Sequence, residues 1–244
     1  MTDDYRARQR ALVARIRRDN RVLLREATTA PRREDYAHDP ARGLTTVVFP
    51  PADLAATVET EIIAPLRAIA PEHYYYPQAS LHTTIRNVRL SAWPPTFQPV
   101  DIDKVHSRFQ LIAPRHEAFE IEFEELLLFP NSISLVGYSD IRLGHLVTAL
   151  GRGLDEIGLS DDKRYLSDTV FFGNMTLARF TAAPTAALAA SVRRLCRRIC
   201  LRLPVTHLKL ITCNASCAPG TLSLLHTYPL TPGKAAAESA TLLE

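Results

Sequence analysis

The sequence predicts an α+β fold of two pseudo-symmetric lobes, each a mainly antiparallel sheet with helices outside, facing each other across a central cleft. Three observations carry that expectation. A succession of strand, helix, strand, helix and strand runs twice through the chain. Two similar tripeptides, His82-Thr83-Thr84 and Asn174-Met175-Thr176, hold matching places in the copies, with Thr84 and Thr176 92 residues apart. A chain of 244 residues, 46% hydrophobic and 23% charged, can also bury a sizeable core.

Residues 4–25 read as an extra N-terminal helix, with Leu12, Ile16 and Leu23 roughly on one stripe and arginines around the rest. Residues 28–43, rich in Pro, Ala, Asp and Arg, read as a linker, so 1–43 form a basic helical arm and its connection. The first half then opens with a strand at 45–49, followed by a helix carrying Leu54, Val58, Ile62, Leu66 and Ile69, which Pro65 should bend. A strand at 81–88 follows, then a helix with Ile102, Val105, Phe109 and Ile112, stopped at Pro114. In the closing strand Phe119, Ile121 and Phe123 alternate with Glu120, Glu122 and Glu124.

In the second half Pro130-Asn131 turns into a strand at 133–138. Ser139 or Asp140 can cap a helix in which Leu143, Leu146, Val147, Leu150, Leu154 and Ile157 keep helical spacing. A strand at 169–181, a helix at 185–201 and strands at 205–213 and 222–230 complete a bilobal domain over 44–230. Residues 231–244 are small and polar enough for a disordered tail.

The net charge of +3 is unevenly spread. Residues 1–34 hold ten Arg, no Lys and five acids, or +5, leaving 19 bases and 21 acids, or −2, for the other 210. Any attraction to RNA therefore belongs to the arm, which is a candidate contact for RNA or a protein partner; packing on its own domain is the alternative. No apolar run is long enough to span a bilayer, so no membrane partner is expected. The N-terminus lacks the pattern of a secretory signal, and the four cysteines then read as reduced thiols of a cytoplasmic protein. There is no GxxxxGK[ST] loop, GxGxxG turn or HExxH helix, and no cofactor or metal is expected.

Side chains two apart on a strand share a face, so His82 pairs with Thr84 and Asn174 with Thr176. In one cleft these four suit displacement at phosphorus, where hydroxyls hold non-bridging oxygens and flanking groups move protons. The sequence here resembles the two-histidine (2H) phosphoesterase superfamily, which includes bacterial proteins called 2′-5′ RNA ligases and cyclic nucleotide phosphodiesterases. The family's signature is a pair of His-x-Thr motifs on the central strands of two lobes. Ser80-Leu81-His82-Thr83-Thr84-Ile85 matches the first motif, and Met175-Thr176-Leu177-Ala178-Arg179-Phe180 looks like the extension of the second.

The resemblance implies one histidine as general base and the other as general acid. Asn174 replaces the second, and an amide cannot exchange a proton near neutral pH. The implied function is a metal-independent phosphodiesterase acting on 2′,3′-cyclic or 2′,5′-linked phosphate of RNA or nucleotides, slowed or altered by Asn174. The alternative is a module that binds nucleotides or RNA ends without turnover.

Around the four catalytic candidates, Arg86 shares the His82 face if the strand stays regular and could clamp phosphate. Tyr76 could stack on a base. His226, on a late strand, is the first candidate to replace the missing acid. Arg179 falls on the face opposite Asn174 unless a bulge intervenes.

Overall fold

The computed structural model describes residues 2–25, 35–163 and 165–233. Most of the expected linker, and the tail from residue 234, lie outside them, as does the side chain of Leu23. The arm forms helix α1 (Thr2–Arg25), and strand β1 (Arg42–Val48) starts the domain. The next helix is not a simple bend at Pro65. α2 (Ala52–Val58) passes through a π-helical turn, Glu59–Ile63, into α3 (Ala64–Ile69). The wider turn leaves room for a proline ring that has no N–H to give.

Short β2 (Tyr74–Tyr75), long β3 (Thr83–Ala92) and α4 (Pro99–Ile112) follow, with Gln98 and Asp101 forming a capping box on α4. β4 (Phe119–Phe129) and β5 (Ser132–Tyr138) make a hairpin leading to α5 (Ile141–Glu156), whose N-cap is Asp140. β6 (Gly173–Arg179) is shorter than expected, because residues 165–172, like 159–163, are irregular. Helix α6 (Ala186–Cys196) also ends early, and β7 (Leu201–Val205) is a separate strand that was not expected between that helix and the strand at 205–213. β8 (His207–Cys213) and β9 (Ser223–Pro229) complete the sheet.

The strands form one strongly curled antiparallel sheet in the order β7-β4-β5-β6-β3-β1-β8-β9, with β2 added beside β6. The first lobe is β3-β1-β8-β9 and the second β7-β4-β5-β6. Each half of the sequence lends its closing strands to the other lobe: β4 pairs with β5 and β7, while β8 pairs with β1 and β9. Of the second-half helices, α5 follows the same exchange by packing on β3, while α6 packs on β4 of the second lobe. The main core lies between these outer helices and the sheet, and includes Leu44, Phe109, Ile121, Phe123, Leu146, Leu150 and Leu210.

Candidate active site

β3 and β6 run side by side at the centre, where Thr83 stands opposite Met175. Both residues are fully buried, so their neighbours turn the other way, toward the inside of the curl. His82 and Thr84 from one strand, and Thr176 and Asn174 from the other, meet around this pair, half-buried. All four line one cavity of about 630 Å³.

The His82 ring is held by a hydrogen bond between Nδ1 and the Ser80 carbonyl at 2.7 Å. A carbonyl only accepts, so Nδ1 carries the proton in the neutral ring and Nε2 keeps its lone pair. Burial pushes the His82 pKa down and the bond to Ser80 opposes this, while the charges of Arg179 and Lys163 lower it further. The imidazole is therefore neutral and basic at pH 7. Rings of Phe49 and Tyr76 flank it, with centroids 6.3 and 6.4 Å away.

Two bulges decide which arginine enters the cleft. Thr84 pairs with Val47 but Arg86 pairs with Thr46, so Ile85 is an extra residue and the alternation reverses after it. Arg86 is therefore not on the Thr84 face, contrary to the regular-strand expectation. Its guanidinium pairs with Asp161 at 3.1 Å and stacks over Tyr165 at 4.6 Å. It also presses on α5, where a Cβ on Gly151 would come within 2.9 Å of the guanidinium carbon. Asn87, next along β3, lines the cavity instead.

In β6 the same slip occurs one motif later: Thr176 pairs with Ser134 and Ala178 with Ile133, leaving Leu177 extra. Arg179 is thereby turned onto the Thr176 side and lines the cavity, which the regular alternation excluded.

Tyr76 is buried in the cavity wall, where its hydroxyl donates to the Ala215 carbonyl at 3.2 Å and accepts from Arg179 Nε at 3.2 Å. It positions Arg179 and has no free face for stacking a base. His226 does not reach the cleft. It pairs with Leu210 in the edge strand β9 and stacks on His106 of α4, centroids 3.6 Å apart, on the outer face of the sheet. The slip between Leu210 and Ile211 gives it the face of buried Leu210.

Sequence reasoning passed over Lys163. It sits in the irregular connection before β6, lines the same cavity, and lies with its ammonium 5.4 Å from the Tyr165 ring centre. Lys163, Arg179 and Arg89 give the lining three cations, and no Asp or Glu is among the described lining residues. The signal available was composition alone, a lone lysine within Asp161-Asp162-Lys163. The Oδ1 atom of Asn174 is buried with no hydrogen-bond partner among the described residues. Such a lining suits an anion with several oxygen acceptors.

No family model matches the chain, and no curated protein matches it in sequence. Solved structures do match in shape. TT0787 of Thermus thermophilus superposes with a TM-score of 0.56 at 17% identity, covering 78% of this chain and 98% of that one. Escherichia coli LigT complexed with NADP+ gives 0.52 at 16% identity over 78% and 98%. LigT complexed with 3′-AMP gives 0.50 at 16% identity over 78% and 99%. The chain has the two-lobed LigT fold.

One wall of this LigT-like cleft is α1. Val136 pairs with Asn174, and Leu127 with Ser134, so these side chains share the inner face of the second lobe. Leu12, Val13 and Ile16 of α1 pack on Leu127, Val136, Tyr138 and Val170, and Leu12 borders the cavity. Arg6 meets Glu122 at 2.8 Å, Arg10 meets Glu124 at 2.9 Å, and Arg17 meets Glu125. The acidic side of β4 thus faces the basic helix. Tyr5 reaches the Phe171 backbone, close over α5, where a Cβ on Gly144 would meet its hydroxyl at 2.6 Å.

Proposed function

We propose that the chain is a metal-independent phosphoesterase whose cleft takes a 2′,3′-cyclic or 2′,5′-linked phosphate of a nucleotide or RNA end. The observation that carries this reading is the grouping of His82, Thr84, Asn174 and Thr176 in one cavity with Lys163 and Arg179. E. coli LigT, whose fold the chain has, is known complexed with phosphate, ATP and 3′-AMP, which supports a nucleotide as ligand.

In this mechanism the Thr84 and Thr176 hydroxyls and the Arg179 guanidinium hold the non-bridging oxygens. His82 Nε2 takes a proton from the attacking water, and Asn174 orients that water or the phosphate through its amide. Helix α1 enters as a wall of the cleft. With Arg6, Arg10 and Arg17 facing acids of β4, less of the arm's charge is left for RNA.

The test is hydrolysis of 2′,3′-cyclic nucleotides and 2′,5′-linked dinucleotides, with and without a chelator, by the native protein and His82→Ala. Turnover that survives the chelator and falls about 10²–10⁴-fold in His82→Ala is expected. The second reading, a binding module, is favoured by Asn174, which cannot serve as an acid. Nucleotide binding with no turnover would establish it, and neither binding nor turnover would remove both.

A further inference from the structure

His82 needs a partner that can give a proton to the leaving oxygen, and the cavity wall allows a search by elimination. Asn174 cannot do it. Arg179 stays protonated and is tied to Tyr76 and the Ala215 carbonyl. The Tyr76 hydroxyl is directed at Ala215, and that of Tyr165 at Asp161, 2.6 Å away. Arg89 donates to the carbonyls of Val88, Leu159 and Ser160. A bond to Cys213, and then burial, hold the Cys217 proton firmly.

Lys163 remains. The connection that carries it is held to β3, where Asp161 and Asp162 accept from the Asn87 side-chain amide and the Tyr165 hydroxyl accepts from the Asn87 backbone N–H, and from there Lys163 lines the same cavity as His82. The carboxylate nearest in charge, Asp161, is already engaged by Arg86, Asn87 and Tyr165. Burial, with the charges of Arg179 and Arg86, lowers the Lys163 pKa below its ordinary 10.5, although Asp161 opposes this. Its charge in turn reaches His82.

Resting on the phosphoesterase reading above, we infer that Lys163 is the second proton-transfer group of the cleft, protonating the leaving ribose oxygen in the cavity that His82 also lines. The attacking water loses a proton to His82 Nε2 as its oxygen bonds to phosphorus. The bond from phosphorus to one ribose oxygen of the cyclic ester breaks, and that oxygen leaves with the electron pair and takes a proton from Lys163 Nζ. The product is a nucleoside monophosphate. The imidazolium and the amine then return to their starting states by exchange with solvent.

The experiment compares the native protein, Lys163→Arg, Lys163→Met and His82→Ala on two substrates. One is a 2′,3′-cyclic nucleotide; the other is a nucleoside p-nitrophenyl phosphodiester, whose leaving group departs without a proton. Both Lys163 variants should lose about 10²–10⁴-fold in kcat on the cyclic substrate and less than about tenfold on the activated one. The basic limb of the pH profile should disappear, and the His82 imidazole, followed by NMR, should titrate higher in Lys163→Met. An unchanged kcat in Lys163→Arg, or an equal loss on both substrates, overturns the inference, since charge alone would then suffice. If His82→Ala is inactive while Lys163→Arg is not, the phosphoesterase reading survives without it. No turnover by the native protein overturns both.

Discussion

Thr83 stands opposite Met175 in the pair that joins β3 to β6, and this one relationship assembles the cleft. It sets Thr84 beside Asn174 and His82 beside Thr176 on the inner face. A histidine at 174 would therefore join the group around His82 without moving a strand. Asn174→His should raise cyclic nucleotide hydrolysis and should rescue Lys163→Met by at least about tenfold, within the usual value of a positioned acid. Adding His82→Ala should abolish the gain. No rescue in a folded protein would mean that position 174 does not face the leaving oxygen.

The two bulges predict opposite phenotypes for two arginines. Arg179→Met should weaken nucleoside monophosphate binding about ten- to a hundredfold, as loss of a hydrogen bond to a charged group does. Arg86→Met should leave that affinity nearly unchanged but lower stability by about 3 kcal/mol, because Asp161, 2% exposed, loses its cation. Calorimetric binding and denaturant titration separate the two. An Arg86 variant with normal stability and lost affinity would put the arginine in the cleft after all.

Much of this was legible in the sequence. The repeat, the two motif strands and their inward faces followed from alternation at His82, Thr84, Asn174 and Thr176. The identity of the cleft arginine did not, because Ile85 and Leu177 are ordinary apolar strand residues and nothing local marks them as bulged. The exchange of β4, β8 and β9 between lobes was hidden for a related reason: alternation reports which face is buried, not which strand lies alongside. Lys163 was missed because an irregular connection has no period to read.

The pH dependence has a definite sign. The His82 pKa is depressed in the folded state, so the unfolded chain binds that proton more readily. Its contribution to stability is complete above the ordinary value of 6.5 and is lost as pH falls through the lower folded value. The stability difference between the native protein and His82→Gln should shift against the native protein over that window. Activity should show an acid limb below 6.5 and, from Lys163, a basic limb below 10.5. A profile without an acid limb below 6.5 and without a basic limb below 10.5 would disagree with both assignments.

Helix α1 is held mainly by its apolar stripe. Removing residues 1–34 should expose Leu127, Val136 and Tyr138 and cost several kcal/mol, given about 1.5–3 kcal/mol for each buried aliphatic side chain lost. Replacing Arg6 and Arg10 by alanine should cost less than about 1 kcal/mol each, since both pairs remain in contact with solvent. If the truncated chain melts with the native protein, α1 is a solvated arm and not a wall.

The most direct test of the central claim is a crystal structure of the protein with a nucleoside 3′-monophosphate. The account predicts the phosphate on the inner face beside the Thr83 and Met175 pair, with its oxygens within about 3.2 Å of the Thr84 and Thr176 hydroxyls and near His82 Nε2. A phosphate bound instead in the neighbouring cavity lined by Arg86 and Arg152, with the two threonines untouched, would contradict it.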